Sequence, residues 1–547
     1  MKILIADKLS PEGPEFLRAQ PGVEVTIQPG LSPQALAAAL REHEGVVVRS
    51  AVQITADVLE RAMADGSSRL RAIARAGVGV DNIDLEAATR LGVAVMNSAS
   101  ASTITTAEHA FALMIALARN IAQGHMAMAV GGWDRNKYTG RQLHGMALGI
   151  VGFGRIGQTM AQRAIAFGMN VIGFDPFVNA DSALDGEVKL VRSFDELIAQ
   201  VDVVSFHVPK TESTSGMLSR EAFRKARRGL LVVNAARGGI VDEQALLEAI
   251  ESGQCGGAAI DVFEEEPPPK DDPLRNHPKI LLTPHLGAST VEAQEAVALD
   301  ACKAMLKYLR GEPVDGMVNM GKLSFDLSDR QRAFVDLASR MIPLLQAVAS
   351  DMQIGAVRFT MRGESVAGRA DTIARYALAD LLRSNLDQPV NVVNAAMLAE
   401  QRRIDAETTI VADLGDDRIA IELVDREGKR SHRVEGAIYG DGLPRITYLD
   451  GYSMDMVSAG QMVLLTNADE PGRIGLVGKL FGDAGVNIAE MVIGRKPATD
   501  AGAACRQVAM MILKLDDVPT DRLIESLRAA PGILGVAAVN LPAAGPV

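Results

Sequence analysis

Short runs of apolar residues alternate with amphipathic stretches from Met1 to Arg310. Because the runs are apolar throughout rather than at every second position, they predict buried strands of a parallel sheet. The first four predicted strands are Met1–Ala6, Gly45–Val48, Leu70–Ala74 and Val93–Met96. A predicted helix, Ala107–Arg119, follows them.

The same pattern then starts again and predicts a second series of strands. Predicted helices at Ile156–Phe167 and Glu243–Ser252 lie between them. The strands are Ala147–Val151, Asn170–Phe174, Asp202–Phe206, Gly229–Asn234, Ala258–Val262 and Ile280–Thr283. Two successive series of strand–helix units predict two doubly wound, Rossmann-like α/β domains.

The pattern changes after the predicted helix Thr290–Arg310, which ends at Gly311-Glu312-Pro313. Residues 317–458 mix a predicted helix, Asp371–Ser384, with alternating hairpin-like strands at Ile419–Val424 and Arg445–Leu449, which indicates an α+β domain. The stretch from 461 to 541 predicts strand, helix, strand, strand, helix, strand, the order of a small split βαβ domain.

Composition excludes several classes of protein. The chain has 547 residues, too many for a single core, and a formal net charge of −12, which argues against coating nucleic acid or anionic membrane. Its cysteines, Cys255, Cys302 and Cys505, suit neither a disulfide framework nor a zinc site. We therefore expect no metal and a reducing cytoplasm. The first residues lack the apolar core of a signal peptide, and no apolar run predicts a membrane span.

A glycine-rich motif, Gly152-Phe153-Gly154-Arg155-Ile156-Gly157, directly follows a predicted strand and opens a predicted helix. Its glycines permit a tight turn, close approach of a pyrophosphate and close helix packing, while the helix N-terminus offers N–H groups to phosphates. Asp175 ends the next strand, where a carboxylate binds ribose hydroxyls and repels a 2′-phosphate. The motif predicts NAD rather than NADP. The alternative is that the glycines serve only a tight turn.

Three further segments with chemically active residues follow predicted strands of the same series. They bring an arginine at Arg237, the acidic run Glu264–Glu266 and a histidine at His285. Because ligands gather beyond the carboxyl ends of parallel strands, these side chains are expected at one crevice. Oxidation of a 2-hydroxy acid needs a base near neutrality and a cation for the carboxylate. The alternatives are a turn-capping arginine, a solvated acidic loop and a packed histidine.

These motifs, together with Val47–Ser50 and Arg75–Asn82, resemble the D-2-hydroxyacid dehydrogenase family over residues 1–316. The whole chain resembles its long, phosphoglycerate-oxidising members. The resemblance implies that Arg237 grips the substrate, that His285 is the acid/base and that Glu266 orients it. It implies a cofactor site formed by these residues: Gly152, Gly154, Arg155, Ile156, Gly157, Asp175, Ala235, Arg237, Asp261 and His285.

The resemblance also assigns substrate-binding residues. Arg49, Ser50 and Arg75 follow or end N-terminal strands and would bind phosphoglycerate, which is charged at both ends; two or three arginines suit a phosphate. Arg135, in the loop 131–140, would reach a neighbouring subunit's site. The alternative is that these arginines are surface charges near strand ends.

The last 80 or so residues resemble an ACT domain, a small module that binds amino acids. Asn467, Asp469 and Asn487 would then bind the effector, expected to be L-serine, at an interface within a homotetramer. Residues 317–458 resemble the intervening domain of the long members, which can bind an anionic effector. The alternative for the tail is assembly without a ligand.

The resulting hypothesis is NAD-dependent oxidation of 3-phosphoglycerate to 3-phosphohydroxypyruvate in L-serine synthesis. The expected domains are substrate-binding (1–98 with 286–316), NAD-binding (99–285), intervening (317–458) and ACT-like (460–541). Two alternatives remain: a dehydrogenase for glycerate or 2-hydroxyglutarate, and a non-catalytic protein that binds NAD on the same scaffold.

Overall fold

The computed structural model describes all residues except 65, 179–181, 276, 315, 322, 324, 325, 387, 412–414, 497–507 and 544–547. Cys505 lies outside the described residues. The described residues form four β-sheets, which follow one another in sequence order. None of the described helices is long and apolar enough to cross a membrane.

The first sheet has five parallel strands in the order β2-β1-β3-β4-β5. Its strands are β1 (Lys2–Ile5), β2 (Glu24–Ile27), β3 (Gly45–Val48), β4 (Ala72–Arg75) and β5 (Ala94–Asn97). The helices between them are α1 (Glu12–Arg18), α2 (Pro33–Glu42), α3 (Ala56–Met63) and α4 (Leu85–Arg90). Successive residues of one strand, such as Leu4 and Ile5, pack into different apolar clusters on opposite faces. Burial on both faces explains the uninterrupted apolar runs.

Two helices, α5 (Thr103–Ala118) and α6 (Ile121–Ala129), lead into the second sheet, which has eight strands in the order β13-β12-β11-β10-β6-β7-β9-β8. Its strands are β6 (Ala147–Val151), β7 (Asn170–Phe174), β8 (Ser182–Ala183), β9 (Val188–Val191), β10 (Val203–Phe206), β11 (Leu230–Asn234), β12 (Cys255–Ile260) and β13 (Ile280–Leu282). Its helices are α7 (Arg155–Ala166), α8 (Phe194–Ile198), α9 (Arg220–Lys225) and α10 (Glu243–Glu251). The strand order reverses between β6 and β10, where doubly wound sheets bind their ligands.

The chain then returns to the first sheet through α11 (Val291–Arg310). Thr290 caps the helix by accepting a hydrogen bond from the Ala293 amide, and Gly311 ends it in the left-handed conformation. The buried face of α11, which includes Val297 and Met305, covers the first sheet on the side of α1. The two doubly wound units are therefore joined by two crossings, one before α5 and one before α11.

The third sheet contains six strands in the order β15-β14-β16-β17-β18-β19, antiparallel except for the β14–β15 pair. Its strands are β14 (Ile354–Arg362), β15 (Asp405–Val411), β16 (Arg418–Asp425), β17 (Ser431–Ile438), β18 (Pro444–Leu449) and β19 (Tyr452–Val457). The helices around it are α12 (Asp329–Val348), α13 (Glu364–Ala367), α14 (Ala370–Arg383) and α15 (Ala395–Gln401). A capping box at Ser328 and Gln331 begins α12, which packs across β16, β17 and β18.

The fourth sheet is antiparallel, in the order β21-β22-β20-β23. Its elements are β20 (Gly460–Ala468), α16 (Arg473–Asp483), β21 (Ile488–Arg495), β22 (Val508–Leu515), α17 (Asp521–Ala529) and β23 (Ile533–Leu541). Both helices cover one face, around Val477, Phe481 and Leu527. The element order is that predicted for this stretch.

The third and fourth sheets share one apolar core. Leu337 of α12 belongs to the same cluster as Leu464 and Ile512 of the fourth sheet. Arg340, 5% exposed, pairs with Asp336 and donates to the carbonyl oxygen of Ser458 and to those of residues 542 and 543. This buried cation therefore links α12 to both ends of the fourth sheet's segment.

The predicted fold class is confirmed: two doubly wound sheets, parallel except for the β8–β9 pair, precede an α+β unit and a βαββαβ unit. Single strands differ from the prediction at their ends. The strand predicted at Ala258–Val262 is Cys255–Ile260, because Cys255 and Gly257 continue its ladder with β11, with a bulge at residue 256. Strand β2 was not predicted, since it lies at the sheet edge and contains polar residues. The domain boundaries stay predictions.

Candidate active site

The glycine motif forms the turn between β6 and α7. A side chain at Gly152, whose φ is +90°, would lie 2.5 Å from the His207 carbonyl oxygen, and one at Gly157 would overlap the Gly152 carbonyl oxygen. Gly154 instead faces open space and is the N-cap of α7 without a side-chain cap. The backbone N–H groups at Arg155 and Ile156 begin this helix, so its N-terminus is available to an anion.

Asp175 lies directly after β7, beside this turn. Its two carboxylate oxygens accept hydrogen bonds from the backbone amides of Phe153 and Phe177, both at 2.9 Å. The side chain is half-buried, so a fixed negative charge stands next to the helix N-terminus. The turn, the open space at Gly154 and this carboxylate fit the pyrophosphate and ribose of NAD.

Strands β11, β12 and β13 are neighbours, and their carboxyl ends lead to Arg237, Glu266 and His285. The Nδ1 atom of His285 is 2.7 Å from Oε2 of Glu266. The other carboxylate oxygen, Oε1, accepts from the backbone amide of Phe263 at 3.1 Å. Glu266 is thus fixed by its own loop and in turn fixes the imidazole, which places the predicted base and its partner together.

The charge on Glu266 is preserved by these contacts. Burial alone would raise the pKa of the carboxyl, but the hydrogen bonds from His285 and Phe263, with the charge of Arg237, hold its pKa below the usual value. The pair is about half exposed, with side-chain exposures of 48% for His285 and 37% for Glu266. A substrate can therefore reach the imidazole from solvent.

Asp261 is fully buried, and Ala235 lies beside it with 7% exposure. The carboxylate accepts hydrogen bonds from Thr283, from the amides of Leu286 and Gly287, and from His109. It is therefore the structural centre of the loop that carries His285. Contact of Asp261 and Ala235 with the nicotinamide stays a prediction.

Three arginines from both doubly wound units gather at the crevice. The Nε atom of Arg237 pairs with Asp81 at 2.8 Å. Burial and the neighbouring charges of Arg237 and Arg49 lower the pKa of Arg75 to about 10. The Nε of Arg75 is buried and has no hydrogen-bond acceptor among the described residues. Because like charges are partly buried together here, this cluster favours the binding of an anion.

Two further features hold these arginines in place. Asp7 accepts hydrogen bonds from the backbone amides of Arg49 and Ala51, both at 3.1 Å, and so fixes the turn that carries Arg49 and the exposed Ser50. Side chains at residues 77 and 79 would overlap the guanidinium groups of Arg75 and Arg237, so glycine at both positions leaves room for them.

Arg135 is exposed in the segment between α6 and β6, and no contact among the described residues brings it to this crevice within the chain. Two residues of the site were not predicted. Asp81 lies in the motif Arg75–Asn82, for which the sequence predicted a role of Arg75 alone. His109 lies in the apolar helix α5, where a histidine between the buried residues Ala107 and Ala110 was the available signal.

The predicted effector residues fall into two places. Asn467 and Asp469 line a cavity of about 390 Å³ at the start of α16. Asp469 pairs there with Arg495 at 2.7 Å, while Asn467 is 1% exposed and its Oδ1 lacks a partner among the described residues. Asn487 does not line this cavity; it donates instead to Asp516 at 2.6 Å.

Comparison with known proteins agrees with this architecture. Residues 111–287 match the family model of the D-isomer specific 2-hydroxyacid dehydrogenase NAD binding domain, and residues 330–450 match the D-3-phosphoglycerate dehydrogenase intervening domain. D-3-phosphoglycerate dehydrogenase from Archaeoglobus fulgidus is 37% identical over 542 residues, covering 99% of this chain and 100% of the relative. The chain belongs to the D-3-phosphoglycerate dehydrogenase family. It is an NAD-dependent oxidoreductase of the D-2-hydroxyacid dehydrogenase fold.

Other relatives extend over the same length. D-3-phosphoglycerate dehydrogenase from Bacillus subtilis is 36% identical over 550 residues, 99% of this chain and 100% of the relative. Among solved structures, a protein from Thermus thermophilus is 34% identical with a TM-score of 0.52, covering 58% of this chain and 100% of its own. NAD-dependent formate dehydrogenase from Staphylococcus aureus, solved with NAD, is 28% identical with a TM-score of 0.52, at 58% and 99% coverage.

Proposed function

We propose that the protein oxidises 3-phospho-D-glycerate to 3-phosphohydroxypyruvate, the first step of L-serine synthesis, with NAD as hydride acceptor. One observation carries the choice of substrate. Arg49 and Arg237 lie close enough to Arg75 to lower the pKa of its guanidinium, and the glycines at 77 and 79 leave room for the Arg75 and Arg237 side chains. A substrate with a carboxylate at one end and a phosphate at the other supplies the negative charge that this cluster lacks.

The chemical steps follow from the side chains. Arg237, held by Asp81, binds the substrate carboxylate. His285 removes the proton of the C2 hydroxyl, and Glu266 stabilises the resulting imidazolium through Nδ1. The Gly152–Gly157 turn, Asp175 and the start of α7 would hold NAD beside the crevice. When bound there, the cofactor would supply the acceptor for the hydride that leaves C2 as the carbonyl forms.

The phosphate is assigned to Arg49, Ser50 and Arg75. Because Arg75 is largely buried between like charges, a bound phosphate dianion relieves repulsion as well as forming hydrogen bonds. In a homotetramer, Arg135 of a neighbouring subunit would reach the same anion. This assignment explains why a cation cluster lies at the substrate end of the crevice rather than at the cofactor end.

We also propose L-serine as a feedback effector that binds at Asn467 and Asp469. Asp469 is suited to an ammonium group, and the Oδ1 of Asn467, which has no partner among the described residues, provides an acceptor next to it. Pairing of fourth sheets from two subunits along their edges would bring Asn487 of a neighbour to this cavity. An effector so placed acts only by a difference in affinity between active and inactive arrangements.

The test of the main proposal is NADH fluorescence on addition of 3-phosphohydroxypyruvate, compared with glyoxylate. Rapid loss of NADH with the phosphorylated substrate alone supports it, and equal or faster turnover of glyoxylate contradicts it. The His285→Ala variant should lose about two to four orders of magnitude in turnover while still binding NADH. Retention of more than a tenth of the wild-type turnover would remove His285 from the acid/base role.

A further inference from the structure

The buried carboxylate of Asp261 is the centre of a hydrogen-bond network behind the crevice. Its Oδ1 accepts from Thr283 Oγ1 at 2.6 Å and from the Leu286 amide at 2.7 Å, and its Oδ2 accepts from the Gly287 amide at 3.0 Å. The remaining contact comes from outside this loop. His109 Nε2, on helix α5, lies 3.0 Å from Oδ1.

The position of the proton on the His109 ring follows from the hydrogen bonds around Asp261. Burial would raise the pKa of Asp261, but the hydrogen bonds from His109, Thr283 and Leu286 outweigh it and hold the pKa below its usual value. An ionised carboxylate only accepts hydrogen bonds, so His109 must carry its proton on Nε2. His109 is therefore a donor to Asp261 in either charge state of its ring.

Helix α5 also contacts the far end of the same loop. Thr105, one turn before His109, lies 3.4 Å from Thr290, the residue that caps α11. Between these contacts, a side-chain atom added at Gly287 would lie 3.6 Å from the methyl group of Thr106. One face of α5 thus supports the segment 283–290 along its length.

The segment so supported carries the acid/base. His285 adopts a φ of +53°, in the left-handed region that few residues other than glycine occupy. Its backbone amide donates to the carbonyl oxygens of Asp261 and Thr283 at 2.9 and 3.0 Å. A residue in such a conformation keeps it only where the surrounding structure holds it.

We propose that His109 is a positioning residue for His285. By donating to Asp261, it holds the segment 283–290 in the one arrangement that aligns the imidazole with Glu266 and the crevice. The inference rests on the proposed function, since it assigns His285 as the acid/base. The competing explanation is that His109 merely fills space between α5 and the second sheet.

Three substitutions separate these explanations. His109→Gln keeps an N–H donor at a similar reach, His109→Leu fills the volume without a donor, and His109→Ala removes both. If His109 positions the loop, the Leu and Ala variants lose about 10- to 100-fold in kcat, the scale of a misplaced catalytic group, and the Gln variant recovers most of it. KM for 3-phosphoglycerate should change little, because the arginine cluster is untouched.

The pH profile of kcat/KM adds a readout that packing alone would not change. Loss of alignment between His285 and Glu266 should displace the acid limb in the Leu and Ala variants but not in the Gln variant. His125→Leu is the matched control, because His125 lies on α6, away from this network. Its kcat and pH profile should equal those of the wild type.

Hydrogen exchange of the peptide covering 281–290 tests the inference without relying on turnover. The amides of Leu286 and Gly287 should exchange faster in His109→Leu, while the peptide of strand β10 stays protected. A Leu variant with wild-type kcat and exchange, or a Gln variant as impaired as Ala, would overturn the inference. If the wild type instead fails on phosphorylated substrate, the proposed function falls, and exchange still decides the role of His109.

Discussion

Glu266 Oε2 accepts from His285 Nδ1 at 2.7 Å, across two loops that follow neighbouring strands. Because Nδ1 is engaged in this contact, Nε2 is the nitrogen available to the proposed substrate. Glu266 is itself tied to the Phe263 amide at 3.1 Å, so the imidazole is oriented by a carboxylate that has little freedom. Both activity and stability should therefore depend on pH through this pair.

Glu266→Gln should lower kcat by about 10- to 100-fold, less than the loss expected for His285→Ala. Without the carboxylate, the imidazolium that forms when His285 takes up the substrate proton lacks its charged partner and is less stabilised. The acid limb of the kcat/KM profile for oxidation should therefore move to lower pH. Stopped-flow measurement from acid to alkaline pH checks this, and an unchanged profile would assign the orienting role to another group.

The same carboxylate links stability to pH. Its folded-state pKa lies below the usual value, so its stabilising contacts are present above the ordinary glutamate pKa of about 4.3 and are lost as pH falls through the lower folded value. Thermal melting of Glu266→Gln should therefore differ from that of the wild type at neutral pH and converge with it in acid. A difference in melting temperature between the variant and the wild type that grows on acidification would contradict this prediction.

Much of this site was predictable because strand ends in a parallel sheet meet at one edge. The glycine turn, Arg237, Glu266 and His285 each follow an apolar run, so their strands alone bring them together. His109 was not predictable in this way. It belongs to a helix whose buried residues gave no reason to point a histidine at Asp261, and only tertiary packing brings the two together at 3.0 Å.

The C-terminal part of the chain shows the same difference between what local pattern predicts and what only tertiary packing brings together. Local pattern predicted the βαββαβ order, because each helix and strand has its own periodicity. The sharing of one core by the third and fourth sheets depends on α12, and on Arg340 reaching carbonyl groups more than 100 residues away. Contacts over such separations leave no mark in local periodicity. Sequence therefore suggested two independent units where the structure shows a continuous apolar interior.

Asp175→Ala should weaken NADH binding and narrow the preference for NADH over NADPH, because the carboxylate predicted to bind the ribose is lost. The alanine also removes an acceptor from the Phe153 amide, which would loosen the glycine turn. Asp175→Asn separates these effects, since it keeps an acceptor but loses the charge that repels a 2′-phosphate. Fluorescence titration with both cofactors provides the measurement. Unchanged affinity for both in the Ala variant would place ribose recognition elsewhere.

Arg75→Ala should raise KM for 3-phosphoglycerate more than for an unphosphorylated D-2-hydroxy acid. A charge-assisted contact to phosphate contributes about 1.5–3 kcal/mol, which corresponds to roughly 10- to 150-fold. Arg49→Ala should behave alike. Arg61→Ala is the matched control, because Arg61 lies on α3 and pairs with Asp57 at the surface. Equal losses on both substrates would mean that Arg75 supports the fold rather than the phosphate.

Asp469→Ala should abolish inhibition by L-serine. In the structure Asp469 is paired with Arg495 at 2.7 Å, so an incoming ammonium group competes with a guanidinium for the same carboxylate. Binding therefore releases Arg495 from the cavity wall, which gives the effector a local rearrangement to act through. Coupling of about 1–3 kcal/mol, typical of such systems, predicts roughly 5- to 150-fold weaker apparent serine affinity in the active arrangement.

Calorimetry on the intact protein should show serine binding to the wild type and to Asp483→Ala, an exposed control at the end of α16, but not to Asp469→Ala. Absence of binding to the wild type at millimolar serine would leave the fourth sheet as an assembly module.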